Sequence, residues 1–234
     1  MITRLPAIAA LLCLSTVSLS TAGCAATTAG TASPATSGPP ATAESLPALL
    51  LPAAEVAAAL AGSELVVTKE ATAPWNDSAH VDDVDCLAVA GAAQQAAYAG
   101  AGWTAIRGQV LREPPPAPAW RHFAVQAVVL FGTADAAADF YARSRQSWQR
   151  CSDRELSYAQ PLAPDQLWSI GPAETDRDVL SVSRTQRGPQ QWSCQRALTV
   201  RNNVAVDIEA CSLDGPTAAA AGIARAISDR LPSA

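Results

Sequence analysis

Trp192-Ser193-Cys194-Gln195-Arg196-Ala197-Leu198-Thr199-Val200-Arg201, Asn202-Asn203, Val204-Ala205-Val206-Asp207-Ile208-Glu209-Ala210-Cys211: two strand-forming runs flank a pair of asparagines. Asn tolerates positive φ, so Asn202-Asn203 suits a two-residue hairpin turn. That turn sets Arg201 opposite Val204. Counting outward by seven steps sets Cys194 opposite Cys211, in a non-hydrogen-bonded pair. Such pairs hold their Cα atoms about 4.5 Å apart, within disulfide reach. The same register places Arg196 opposite Glu209, an opposite-charge cross-strand pair. It turns Val204, Val206, Ile208 and Ala210 to the other face, toward a core. Turn chemistry, cysteines and charges agree on one register.

The compartment implied by a disulfide is legible at the other end of the chain. Arg4 precedes an apolar run from Leu5 to Leu19, too short for a stable span. The run ends in Leu19-Ser20-Thr21-Ala22-Gly23-Cys24, small residues before a cysteine, which resembles the bacterial lipobox. Thr21 stands where that motif usually has Leu. Residues 1–23 are therefore expected to be a lipoprotein signal peptide, with Cys24 the lipid-attachment residue. The alternative is plain secretion after cleavage at a small-residue site. Loss of residues 1–23 removes Arg4 and no acid, which takes the formal net charge from −5 to −6. An acidic chain disfavours nucleic acid and a polybasic grip on anionic lipid. Residues 24–46 are expected to be the lipidated cysteine and a tether almost entirely of Ala, Thr, Ser, Gly and Pro, with one charge, too poor in apolar bulk to fold alone. As a coil it would reach roughly 25 Å. Residues 47–234 are expected to be one domain.

Six cysteines are present. Cys13 leaves with the signal and Cys24 takes lipid, so Cys86, Cys151, Cys194 and Cys211 remain for an oxidising compartment. With Cys194 and Cys211 joined across the hairpin, elimination pairs Cys86 with Cys151. The competing use, two cysteine ligands of zinc with His80, has little support.

The other elements are expected as follows. Helices lie at Ala53–Leu60 with Gly62 as a stop, at Cys86–Tyr98, at Ala134–Arg150 after a Thr133 cap, and from Pro216 to Leu231. Strands lie at Leu65–Thr68, Trp103–Arg112, Trp120–Phe131, Gln166–Glu174 and Val179–Gln186. Pro114, Pro115, Pro116 and Pro118 break the chain between two of them. Ala71–Asp85 is a polar loop. Helices at both ends around consecutive strands indicate an α+β fold with a mostly antiparallel sheet.

Three stretches carry a resemblance: Ala96-Ala97-Tyr98-Ala99-Gly100-Ala101-Gly102-Trp103-Thr104-Ala105-Ile106-Arg107-Gly108-Gln109 with Leu111-Arg112-Glu113-Pro114; Gln126-Ala127-Val128-Val129-Leu130-Phe131; and Trp192-Ser193-Cys194-Gln195-Arg196-Ala197-Leu198. Together they resemble the PknH-like extracellular sensor domain over nearly all of residues 47–232. The resemblance implies an antiparallel sheet with flanking helices, a two-disulfide pattern and an open cleft for a small polar ligand. It is also consistent with a free-standing lipoprotein member, since no kinase portion is visible, held on the extracytoplasmic face of the cell membrane.

No catalytic constellation is legible, so the chain is read as non-enzymatic and no cofactor or metal is assigned. Gly-x-Ser-x-Gly and Ser-x-x-Lys are missing from the sequence. His80 near Asp82, Asp83 and Asp85 reads as a solvated acidic loop, and His122 as structural. Strand alternation puts Trp103, Arg107 and Gln109 on one face, where an indole, a guanidinium and an amide can grip an anionic or polyhydroxylated ligand. Three functions compete: a sensor-like domain for a small polar ligand or envelope partner, an envelope hydrolase using carboxylates that sequence cannot bring together, and a docking module. A cleft lined by Arg, Gln and Trp favours the first, converging acids the second, and a large exposed apolar patch the third.

Overall fold

The computed structural model describes residues 38–61, 64–114, 120–160, 163–189, 191–213 and 215–232. Eight strands build one sheet: β1 (Val66–Ala71), β2 (Trp103–Arg112), β3 (His122–Phe131), β4 (Glu155–Gln160), β5 (Ala163–Asp176), β6 (Val179–Gln186), β7 (Ser193–Arg201) and β8 (Val204–Ser212). Their order is β1-β2-β3-β8-β7-β6-β5-β4, and every neighbouring pair is antiparallel. The chain leaves β3 at the centre, crosses to the far edge through helix α5 (Ala134–Arg150), and returns by a meander that ends with β8 beside β3. The β7–β8 hairpin is thus central. Arg201 faces Val204, Cys194 faces Cys211 and Arg196 faces Glu209, as the sequence requires. The Cys194–Cys211 disulfide has Cα atoms 4.0 Å apart, and Cys86–Cys151 ties the end of α5 to the turn that precedes Leu87.

The two sheet faces are closed differently. On one, α1 (Leu46–Leu49), α2 (Ala53–Ala59) and α6 (Ala219–Ser228) complete a core with Val204, Val206, Ile208 and Ala210. Gln126, fully buried in β3, binds both backbone groups of Leu51: Leu51 N–H donates to Oε1 and Nε2 donates to Leu51 O, each at 2.9 Å. This fixes the α1–α2 joint without leaving the amide unsatisfied. On the other face, α5 lays Phe140 and Trp148 over Ile106, Val129, Phe131 and Leu198. Its Thr133 hydroxyl accepts from Ala136 N–H at 3.1 Å, the expected cap. α5 covers the half of this face nearest the hairpin turn. Among the described residues, no helix is long and apolar enough to cross a membrane.

Several expectations need correction. Cys86–Tyr98 is not one helix but two single turns, α3 (Leu87–Ala90) and α4 (Gln95–Tyr98), with Gly91 extended and Ala93 at φ 53° between them. The break is imposed from the sheet: Ala93 N–H donates to Asp207 at 2.8 Å and Ala92 N–H to Glu209 at 3.4 Å. The last helix begins at Ala219 rather than Pro216, and β3 begins at His122 rather than Trp120. Strand β4 was not anticipated. Of residues 38–46, which composition places in the tether, Gly38, Pro39 and Ala41 bind the hairpin turn and Leu46 is buried in α1. Asn202 Nδ2 donates to Gly38 O, and Asn203 exchanges two hydrogen bonds with the Ala41 backbone. Residues 1–37, with Cys24, and Gly62, Pro115, Pro116 and Pro118 lie outside the described residues.

Candidate functional site: an aromatic cleft

The half-face that α5 leaves uncovered is a cleft of about 710 Å³. Its floor is built from alternate residues of the sheet. Val110, Val125, Cys194 and Cys211 project from β2, β3, β7 and β8, so the hairpin disulfide is part of the floor. Four of the six tryptophans line it: Trp75, Trp120, Trp168 and Trp192. Phe123 and Tyr158 add two more rings. Polar groups are interspersed, notably Gln94, Gln160 and Gln166. The volume falls within the roughly 300–1,000 Å³ usual for small-molecule sites.

The sheet positions these rings. Trp75 lies on Gly108 of β2, where an added Cβ would stand 2.6 Å from the indole, so the close approach depends on that glycine. Its backbone is fixed too, since Trp75 N–H donates to Ala93 O at 2.9 Å and Gln95 N–H donates to Trp75 O at 2.7 Å. Arg184 lies over Trp168, 4.5 Å from the ring centroid, and forms a buried ion pair with Glu209. Burial raises the Tyr158 phenol well above its ordinary value, and the charge of Asp77 adds to it. Asp77 itself accepts from Gln94 Nε2 at 2.6 Å.

Beneath the cleft, two carboxylates have structural work. Asp207 accepts from Arg196 Nη2 at 2.6 Å, from the Tyr98 hydroxyl at 2.9 Å and from Ala93 N–H. Burial, then the Asp207 charge, drives the Tyr98 phenol far above its usual range. Arg196 and Glu209 are opposite in register as expected, yet their side chains choose diagonal partners, Arg196 with Asp207 and Glu209 with Arg184. Each charge thereby meets an opposite charge instead of sharing one partner. Among the described residues, the one grouping of Cys, His and acidic donor atoms tight enough for a metal is Cys194, Glu209 and Cys211. Its two sulfurs are bonded to each other.

The expected site at Trp103, Arg107 and Gln109 is not assembled. Register shifts between Trp103 and Ala105, and the extra residue resets the alternation. Trp103 packs with the core under α5. Arg107 and Gln109 belong to the opposite face, where Arg107 Nη1 donates to Ile106 O at 2.8 Å and Gln109 accepts from Gln126 at 3.0 Å. None of the three lines the cleft. Elsewhere, Asp83 pairs with Arg154 at 2.8 Å and Asp82 accepts from Ser157 N–H at 3.1 Å, so this acidic loop is fastened to the sheet edge. His80 is exposed. His122 is buried with Nδ1 2.8 Å from Glu113. Burial works against the Glu113 charge, but hydrogen bonds from His122 and backbone N–H groups outweigh it and hold the carboxyl below its usual range.

Comparison with known proteins gives a consistent set of relatives. The family described as PknH-like extracellular domain matches residues 41–230. Serine/threonine-protein kinase PknH of Mycobacterium bovis is 35% identical over 168 residues, which are 72% of this chain and 28% of that protein. PknH of Mycobacterium tuberculosis is also 35% identical over 168 residues, 72% of this chain and 26% of that protein. The chain thus spans only about a quarter of the curated relatives it matches. The crystal structure of the extracellular domain of PknH from Mycobacterium tuberculosis superposes with a TM-score of 0.76 at 35% identity, covering 82% of this chain and 97% of that one.

Proposed function

Because the chain belongs to the PknH-like extracellular domain family, we propose that it works outside the cytoplasm as a non-enzymatic, sensor-like domain that binds a small polar ligand in the aromatic cleft. The observation that carries this reading is the lining. Indole faces alternate with amides and guanidinium groups, a surface suited to a ligand with both apolar and hydrogen-bonding faces. Of the two acids that line it, Glu209 is held by Arg184 and Asp77 accepts from the Gln94 amide, so each has a structural partner. A lipid on Cys24 would hold the domain at the membrane.

Native mass spectrometry of protein purified from its own host tests the reading. A small molecule should be released on denaturation. Trp120→Ala should reduce the amount retained with little change in melting temperature, because Trp120 is 44% exposed. Protein without ligand, and no change in tryptophan fluorescence with a low-mass envelope extract, would sink it.

A further inference from the structure

Arg112 differs from the other arginines on the cleft side of the sheet. Arg184 and Arg196 each hold a carboxylate. The Arg112 guanidinium instead lies between two rings, 3.7 Å from the Trp120 centroid and 5.2 Å from that of Phe123. No carboxylate meets it among the described residues, and its Nε is buried without a hydrogen-bond partner. Glu113, next in sequence, is turned to the opposite face by His122. Burial lowers the Arg112 pKa from its ordinary value.

The charges along the cleft are distributed unevenly. Once Arg184 and Glu209 are paired, Lys69 and Arg112 remain against Asp77. Lys69 and Arg112 belong to β1 and β2 at one edge of the sheet. Asp77 is held by the Gln94 amide at 2.6 Å, whereas no carboxylate meets Arg112 among the described residues. An otherwise acidic chain therefore leaves two cations against one acid along its cleft. A partly buried guanidinium with an unpartnered N–H donor is a receptor for a carboxylate or phosphate. The tryptophans and glutamines further along suit the C–H face and hydroxyls of a sugar ring.

We propose that the cleft takes an acidic saccharide, with its carboxylate or phosphate on Arg112 and its ring against the indoles. This rests on the cleft being the ligand site. The test titrates the full chain with D-glucuronate, glucose 6-phosphate, glucose and inorganic phosphate, read by tryptophan fluorescence and calorimetry. At least one acidic sugar should bind about 10- to 100-fold more tightly than glucose, as expected for a charge-assisted contact. Preference for glucose 6-phosphate would identify the anionic group as phosphate, and preference for glucuronate as carboxylate. Arg112→Gln should abolish the preference, while a cooperative thermal unfolding transition shows that the variant is folded. Arg112→Lys should restore part of it. Equal binding of glucose and both acids, or a preference that survives Arg112→Gln, overturns the proposal while leaving the cleft as a ligand site. Inorganic phosphate binding as tightly as glucose 6-phosphate overturns the saccharide half. If no sugar binds although host-purified protein releases a ligand, the saccharide class falls and the broader sensor reading stands.

Discussion

At the residue scale, Asp207 shows how one side chain governs both fold and cleft. It accepts hydrogen bonds from Ala93, Tyr98 and Arg196, which belong to three different segments. Asp207→Ala would leave a buried guanidinium, a phenol and a backbone N–H without their acceptor. The expected loss is about 3–5 kcal/mol, typical for removing one partner of a buried ion pair. Urea denaturation measures it, and a loss below about 1 kcal/mol would show that water replaces the carboxylate. The same residue explains one misreading of the sequence. Nothing in Gly91-Ala92-Ala93 predicts that sheet carboxylates more than a hundred residues away capture its backbone. Trp103 was misassigned for a related reason, since strand alternation assumes an unbroken register and its bulge is visible only once β3 is beside it.

At the element scale, the two disulfides constrain loops of different length. Cys86–Cys151 spans a sequence separation of 65 and Cys194–Cys211 one of 17. In the chain-entropy account they contribute about 4 and about 3 kcal/mol. Replacing each pair by Ala should therefore destabilise the first variant slightly more, as measured by equilibrium unfolding. A much larger loss in the hairpin variant would show that the bond also braces the cleft floor. The hairpin was legible because turn, cysteines and charges are local and mutually consistent. α5 is legible because its Thr133 cap and the run Ala134–Arg150 are local to one stretch of sequence. The six-residue β4 is an edge strand, half exposed, and carries little apolar signal. The cleft is less legible still, because its rings come from loops and strands from Trp75 to Trp192 and converge only in the folded sheet.

At the scale of the whole molecule, the hairpin joins two ends with different roles. Residues 38–41 are held at its Asn202-Asn203 turn. The cleft begins five residue steps along β8, at Glu209, and its disulfide floor lies seven steps along, about 24 Å away at the usual rise per residue. If Cys24 carries lipid, Cys24→Ala should move the protein from the detergent phase to the aqueous phase on phase partitioning. Wild-type protein already found in water would exclude that anchor. The unequal closing of the sheet has a further consequence. One face is sealed by helices and holds much of the apolar core, while the other is open over half its length. Trp120, on the open face, is 44% exposed and lies outside that sealed core. If the cleft holds a ligand, its rim can therefore change without disturbing the scaffold that superposes with a TM-score of 0.76 at 35% identity.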